Sequence, residues 1–477
     1  MNKARILILL CASVFLLSLS GPLWAGGDEL AVVKSEINAL KARLKTMEQQ
    51  LLQQQNMIKK QNRLIQSYEA ALKKQETELA AQKQAVAQQK ASLEAQKKDV
   101  RSLDSLKAVL NHIELSADAT GVVQGTSNMD HGDTTNGAYT FDFNIATHFG
   151  GYGSFYVHLE GGDGNGLNDT VPSFSVPNYD AYATLNNENE TDLTISEAYY
   201  EFSLWKDRIG LDAGKMDISV LFDENEAAGD ETTQFLSNIF VKSMGLTIPE
   251  PDNFYCPAMM VRIDPTELIE LRFVGASVEN DDWDNLFTHA FGAAQINIRP
   301  TIKGHRGNYR FYAWVDGRNH VKNRDLTRVE NTYKNSYANN DQTGFGVSFD
   351  QELTDTLIAF FRYSYTNDDL ASWNGDDGRW EMIPFNQVWS TGLQISGAWW
   401  KRKDDAVGLA YGQTLLTDDY KEANDHTANE QYVEAYYRFQ LHKRFALTGD
   451  FQWIKNAGGN ADASDIYILG LRSQIDF

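Results

Sequence analysis

The chain ends in DIYILGLRSQIDF, Asp465 to Phe477, a stretch in which polar and apolar side chains alternate up to an aromatic C-terminus. Tyr467, Leu469, Leu471, Ile475 and Phe477 fall on one face, interrupted by Ser473. Arg472, Gln474 and Asp476 share the other face with Gly470. Because a strand alternates its side chains with a period of two, this one is greasy on one side and wet on the other. A half-buried edge strand of any sheet reads the same way. More than a dozen earlier segments repeat the pattern, however, at the length of about ten residues that crosses a bilayer as a tilted strand. The stretch therefore reads as the closing strand of an outer-membrane β-barrel.

Periodicity of two begins after Asn111. Candidate strands are 113–123, 138–149, 151–160, 193–204, 208–216, 258–264, 267–277, 289–301, 307–316, 343–351, 356–366, 387–400, 406–415, 431–441, 444–455 and 465–477, an even set of sixteen. Links after the even strands are short, such as Gly150, Trp205-Lys206-Asp207 and His442-Lys443. Those after the odd strands are longer, above all 161–192 and 217–257. Short periplasmic turns opposite long extracellular loops are the asymmetry of an outer-membrane barrel, and a secreted sandwich has no reason to sort its loops this way. The predicted fold is an all-β transmembrane barrel of about sixteen antiparallel strands over residues 111–477.

Two further segments precede it. Residues 1–25 form a signal peptide: Lys3 and Arg5, an apolar run from Ile6 to Leu19, then Leu23-Trp24-Ala25 as a cleavage site. From Asp28 to Thr120 there is no Gly or Pro, and Ala, Leu, Lys, Gln and Glu dominate, all strong helix formers. One heptad register runs through residues 28–110. Its a positions are apolar, from Ile37 and Leu44 to Val86, Leu93 and Val100; its d positions change from Val33, Leu40 and Met47 to a run rich in Gln, Gln54 to Gln96, before Leu103. Ten unbroken heptads predict a long left-handed coiled coil in the periplasm, read here as joining a homotrimer. A dimer or a pairing with another protein remains open on sequence alone.

Charge and composition exclude other classes. No run besides the signal approaches the roughly 18 apolar residues of a spanning helix, and mean hydropathy is −0.44 with 12% aromatic residues. The whole chain carries −22. The helical segment holds 15 basic and 10 acidic residues and the signal two basic ones, which leaves −29 from Asn111 onward. So acidic a domain is a poor partner for nucleic acid. Cys256 is the single cysteine of the mature chain, which rules out an internal disulfide. The nine histidines show no metal-ligand spacing, and no G-x-S-x-G elbow or P-loop is present, so no catalytic, cofactor or metal set is assigned. Asp163 to Asp169 is rich in Asp, Asn and Gly but lacks the terminal Glu of an EF-hand loop. The acidic loop from Asp223 to Glu231 reads either as a cation-attracting mouth or as a solvated loop.

Facing parity nominates lumen residues. A lipid-facing Arg or Lys costs about 2–4 kcal/mol at the midplane, so arginines belong inside. With Tyr309, Phe311, Ala313 and Val315 turned to lipid, Arg310 and Trp314 point inward; the same parity places Arg362, Glu434, Arg438, Arg472, Glu197 and Asp142 inside, along with Arg262, Arg272, Arg299 and Glu270. A wet interior of both signs suits a water-filled channel, although such residues can also pair across the lumen and only hold the wall in shape.

The segment EAYYRFQLHKRFALTGDFQWIKNAGGN (Glu434 to Asn460) and the closing strand together resemble the C-terminal signature of the carbohydrate-selective porin family, OprB type. EAYYEF (Glu197 to Phe202), Asp212-Ala213-Gly214-Lys215, FDENEAAGDETTQFLSNIFV (Phe222 to Val241) and GVSFDQEL (Gly346 to Leu353) extend the resemblance over about residues 111–477. It implies an outer-membrane channel through which sugars and other small hydrophilic solutes diffuse passively, with the two longest loops folded inward as a constriction. It further implies sugar contacts from lumen arginines with acidic and aromatic neighbours, for which Arg310, Trp314, Arg362, Glu434 and Arg438 are the candidates. The N-terminal helix is an addition to the simplest sugar porins. It is similar to the arrangement in porins with a cell-wall-binding module ahead of a coiled coil, and it raises the alternative of a structural tether to the cell wall with the barrel as anchor.

Overall fold

The computed structural model describes residues 113–183, 193–245, 255–277, 288–374 and 378–477, together with 283 and 286, in a unit spanning Ser105–Phe477, and 32, 34–43, 45–47, 49, 83, 84, 86, 87 and 90 in a unit spanning Met1–Asp104. The signal segment and most of the heptads lie outside the described residues. Those of the N-terminal unit are all α-helical and exposed, including Ile37, Leu40, Met47 and Val86 from the predicted a and d positions.

The second unit is a closed antiparallel barrel of sixteen strands. They are β1 Ile113–Ser127, β2 Thr135–His148, β3 Ser154–Asp163, β4 Thr194–Leu204, β5 Ile209–Asp217, β6 Tyr255–Ile263, β7 Ile269–Ala276, β8 Phe291–Ile298, β9 His305–Asp316, β10 Gln342–Thr354, β11 Leu357–Thr366, β12 Phe385–Ser396, β13 Ala406–Leu416, β14 Gln431–His442, β15 Phe445–Lys455 and β16 Ile466–Asp476. Each corresponds to one predicted strand. Consecutive strands pair throughout, and β16 pairs with β1 from Asp118↔Asp476 to Ser127↔Tyr467, which leaves no free edge. The final residue joins this seam too, Phe477 N donating to Ala117 O at 2.8 Å.

Alternation decides what each face meets. Phe311, Val315, Leu469, Leu471 and Ile475 lie exposed on the outer wall, where lipid covers them, while Arg310, Tyr312, Trp314 and Asp316 are buried inside. Inward rings sit over glycines of the facing strand: Trp314↔Gly344, Tyr312↔Gly346, Phe360↔Gly392 and Tyr436↔Gly408. A Cβ at any of these glycines would strike the ring or the adjoining backbone, so the small residue makes room for the large one. Turns such as 205–208, 355–356 and 443–444 lie at one rim; the longer links, described over 164–183, 218–245 and 317–341, leave from the other. Residues 321–322 of the link after β9 join 370–374 and 379–382 of the link between β11 and β12 in a small sheet beside Tyr333.

The interior is filled by loop as well as by strand. Two buried clusters combine inward strand residues with segment 218–245, so that Phe235 packs on Phe360 and Tyr436 and Phe222 on Phe291 and Tyr312. Cys256 is buried in the second cluster.

Candidate functional site

The site is built on segment 218–245, which leaves the end of β5 through a short 3-10 turn at Ile218–Val220 and runs to a helical turn at Asn238–Val241. Its apolar residues Phe222, Phe235, Leu236, Ile239, Phe240 and Val241 are buried within the barrel, and a backbone taken from water must have its polar groups satisfied. Inward side chains of distant strands do this. Glu434 accepts from Leu236 N at 2.6 Å and Ser237 N at 2.9 Å. Arg472 donates to Glu231 O and, at 2.7 Å, to Gln234 O. Arg362 donates to the carbonyls of Ala228, Phe240 and Asp223 and pairs with the Asp223 carboxylate at 3.3 Å.

Asp223 is held in turn by Ser243 N and the Tyr312 hydroxyl. Charge-assisted bonds of this sort are stronger than neutral ones, and they come from strands spread over half the barrel circumference. The acidic loop is tied down at Asp223, which is buried, and at Asp230, which accepts from Thr232 N and Thr233 N within the loop, while Glu226 stays exposed.

The other long loop also enters. In 164–183, Pro177 O receives Gln124 Nε2 and Gln452 Nε2, Ser175 O receives the Tyr432 hydroxyl at 2.6 Å, and Asp180 accepts from Thr140 at 3.0 Å. The loops are stitched to each other, Tyr179 N donating to Leu236 O at 2.8 Å and Ile239 N to Ser175 Oγ at 3.0 Å. Asn168, in the Asp-, Asn- and Gly-rich stretch from Asp163 to Asp169, exchanges bonds with the Asn178 backbone.

Between the two loops and the β5–β6 wall lies a cavity of about 230 Å³ lined by Tyr179, Asp217, Val220, Gly229, Asp230, Glu231, Lys242 and Tyr255. Two tyrosines beside carboxylates and an ammonium bring together the apolar and hydrogen-bonding groups that a polyhydroxylated ring uses. Burial, reinforced by the neighbouring Asp230 charge, pushes the Glu231 carboxyl up to about 7.

The remaining candidates are dispersed. Arg310 is buried against Asp350 at 2.6 Å, and Trp314 is buried beside Tyr312. Half-buried Arg438 donates to Gln474 Oε1 at 3.3 Å. Arg262, Arg272 and Arg299 form an ion-paired group with Asp264 and Glu270.

Asp142 bonds His158 Nε2 at 2.7 Å, and His158 Nδ1 stands 3.8 Å from Glu197. A register shift between β3 and β4 at His158/Leu159 turns both Ser196 and Glu197 to this group, Ser196 Oγ donating to Glu160 at 3.0 Å. Potential ligand atoms of Asp142, His158 and Glu160 lie within 4.8 Å of one another. The chain spacing of the histidines conceals this grouping, which cross-strand pairing creates. Sequence reasoning also missed Tyr179, Asp217, Lys242 and Tyr255 of the cavity. The signal within reach was the density of large apolar residues in Phe222 to Val241, too high for a loop left in water.

A closed transmembrane barrel of sixteen strands, narrowed by loops folded into its interior, is an outer-membrane diffusion channel. Residues 131–477 match the carbohydrate-selective porin, OprB family, and the chain belongs to that family. It is a porin that passes small hydrophilic solutes passively across the outer membrane. Among solved structures, it is similar to Pseudomonas putida OprB at high pH, with a TM-score of 0.64 and 15% identity over 78% of this chain and 96% of that one. The low-pH structure of the same protein gives a TM-score of 0.47 and 12% identity, over 79% and 96%. The Acinetobacter baumannii outer membrane channel DcaP also gives 0.47, with 14% identity over 76% and 97%. No curated protein matches by sequence.

Proposed function

We propose that sugars are among the solutes this porin carries and that they pass the cavity between the two inserted loops, in contact with Tyr179, Tyr255, Asp217, Asp230, Glu231 and Lys242. The observation that supports this reading is the combination of two tyrosines with carboxylates and an ammonium around a space of about 230 Å³. Arg310, Arg362, Glu434 and Arg472 act from behind the loop, by holding it, while Arg438, Glu197 and Asp142 line the path beside it. Purified protein in planar bilayers is expected to give stepwise conductance that added neutral sugars reduce. Steps indifferent to every sugar would remove the carbohydrate reading, and absence of steps would remove the channel.

The helix over residues 28–110 is read as a periplasmic coiled coil that joins three copies. Exposure of Ile37, Leu40, Met47 and Val86 in the single chain supports association, since an aligned aliphatic row in water seeks a partner. Deleting 28–110 is expected to lower the assembly state measured by sedimentation in detergent while conductance steps persist. If sedimentation is unchanged, the barrel wall is what holds the copies together. Loss of envelope spacing in cells carrying the deletion would favour a cell-wall contact by this segment.

A further inference from the structure

At one level of the barrel wall, on the short-turn side of the inserted loops, four neighbouring strands present carboxylates directly opposite one another. Asp118 of β1 is the ladder partner of both Asp476 on β16 and Asp142 on β2, and Asp142 is the partner of Glu160 on β3. Like charges facing across a ladder destabilise a sheet, so strand pairing does not account for the row. Glu197 reaches its edge through the register shift in β4. Among the described residues, His158 is the basic side chain that bonds within the row.

The arginines offer little counterweight there, since among the described residues only Arg438, whose charge acts on Asp476 at the end of the row, stands near it. Arg310 faces Asp350, Arg362 faces Asp223, and Arg272 and Arg299 face Glu270. Arg472 points into loop carbonyls. A second level, the cavity between the loops, repeats the bias independently, with Asp217, Asp230 and Glu231 against Lys242. Solutes that cross the lumen thus meet two successive surfaces dominated by carboxylates, in a narrow space whose low-dielectric walls concentrate the field. Carboxylate rings are how cation channels discriminate.

We propose that this porin is cation-selective and that, among sugars of equal size, it passes amino sugars faster than neutral sugars and neutral sugars faster than sugar acids. The proposal rests on the reading of the lumen as the solute path. Asp118 and Asp142 act as selectivity determinants at the level below the loops, without holding the loop in place.

The test is the reversal potential of the full-length protein in planar bilayers under a potassium chloride gradient, together with liposome swelling in glucosamine, glucose and glucuronate. Expected is a potassium-to-chloride permeability ratio above one. It should be larger in about 0.1 M salt, where charges are felt over about 10 Å, than in about 1 M, where they are felt over about 3 Å. Swelling rates should follow glucosamine, glucose, glucuronate. Asp118→Asn combined with Asp142→Asn, which relieves the crowding of like charge and keeps side-chain shape, should bring the ratio toward one while stepwise conductance persists.

Chloride preference in the unmodified protein overturns the proposal, as does a ratio unmoved in the double variant. Both results leave the porin reading intact, because conductance is seen in each. Absence of conductance steps overturns the proposal and the porin reading together.

Discussion

Glu434 and Arg472 illustrate how a residue nominated for one task performs another. Both face inward, as strand parity requires, yet their polar atoms meet loop backbone: Glu434 holds two N–H groups and Arg472 two carbonyls. Orphaning a buried N–H costs about 1–3 kcal/mol. Glu434→Ala is therefore expected to free segment 231–241, seen as faster hydrogen exchange at Leu236 and Ser237 and as larger, noisier conductance steps from a barrel that still resists unfolding in detergent. Arg472→Lys separates charge from geometry. It keeps the positive charge but loses the fork that reaches both carbonyls, so conductance should rise while ion preference changes little. Arg472→Glu should change both, and a variant with altered preference but undisturbed step size would mean that the loop does not depend on this anchor.

Parity was readable residue by residue because lipid outside and water inside impose opposite demands on adjacent positions. What a lumen side chain touches was not, since Glu434 and Ser237 are 197 positions apart and only the closed barrel brings them together.

At the scale of elements, all sixteen strands were legible, since each carries its own alternation and its turns differ by rim. The bulge in β4 was not, because Ser196 and Glu197 break parity by a backbone irregularity that leaves no mark in composition. The inserted loop was legible only in outline. Its acidic residues suggested contact with water, whereas Phe222, Phe235 and Phe240 commit it to the interior.

One consequence of that burial is a pH response in the loop itself. Glu231, with its carboxyl at about 7, is neutral on the acid side and charged on the alkaline side, facing Asp230, Asp217 and Asp180 of like sign and Lys242 of opposite sign. The cavity gains a negative charge as pH rises through neutrality. Cation preference should strengthen over the same range, and Glu231→Gln should reduce that change; a pH response untouched by this substitution would place the titrating group elsewhere.

For the whole molecule, the −29 carried from Asn111 onward is not spread evenly: the arginines are drawn into pairs and loop anchors, and the wall of β16, β1, β2 and β3 keeps its carboxylates. Net charge from sequence indicated the sign of this imbalance and gave no hint of its location, which depends on which strands become neighbours. The decisive pairing is the seam between β1 and β16, whose members stand at opposite ends of the domain. Every other barrel pairing in the sheet can form as a hairpin or an extension of one, at small entropic cost. The seam must close a loop of the entire domain, the slowest kind of contact to find.

Removal of residues 466–477 leaves β1 and β15 as two unpaired edges, templates for pairing with other chains. Such a chain is expected to accumulate as aggregate in detergent refolding, where the full chain gives a compact species on gel electrophoresis. The timing has its own meaning for biogenesis: until Phe477 has arrived, the barrel has no inside.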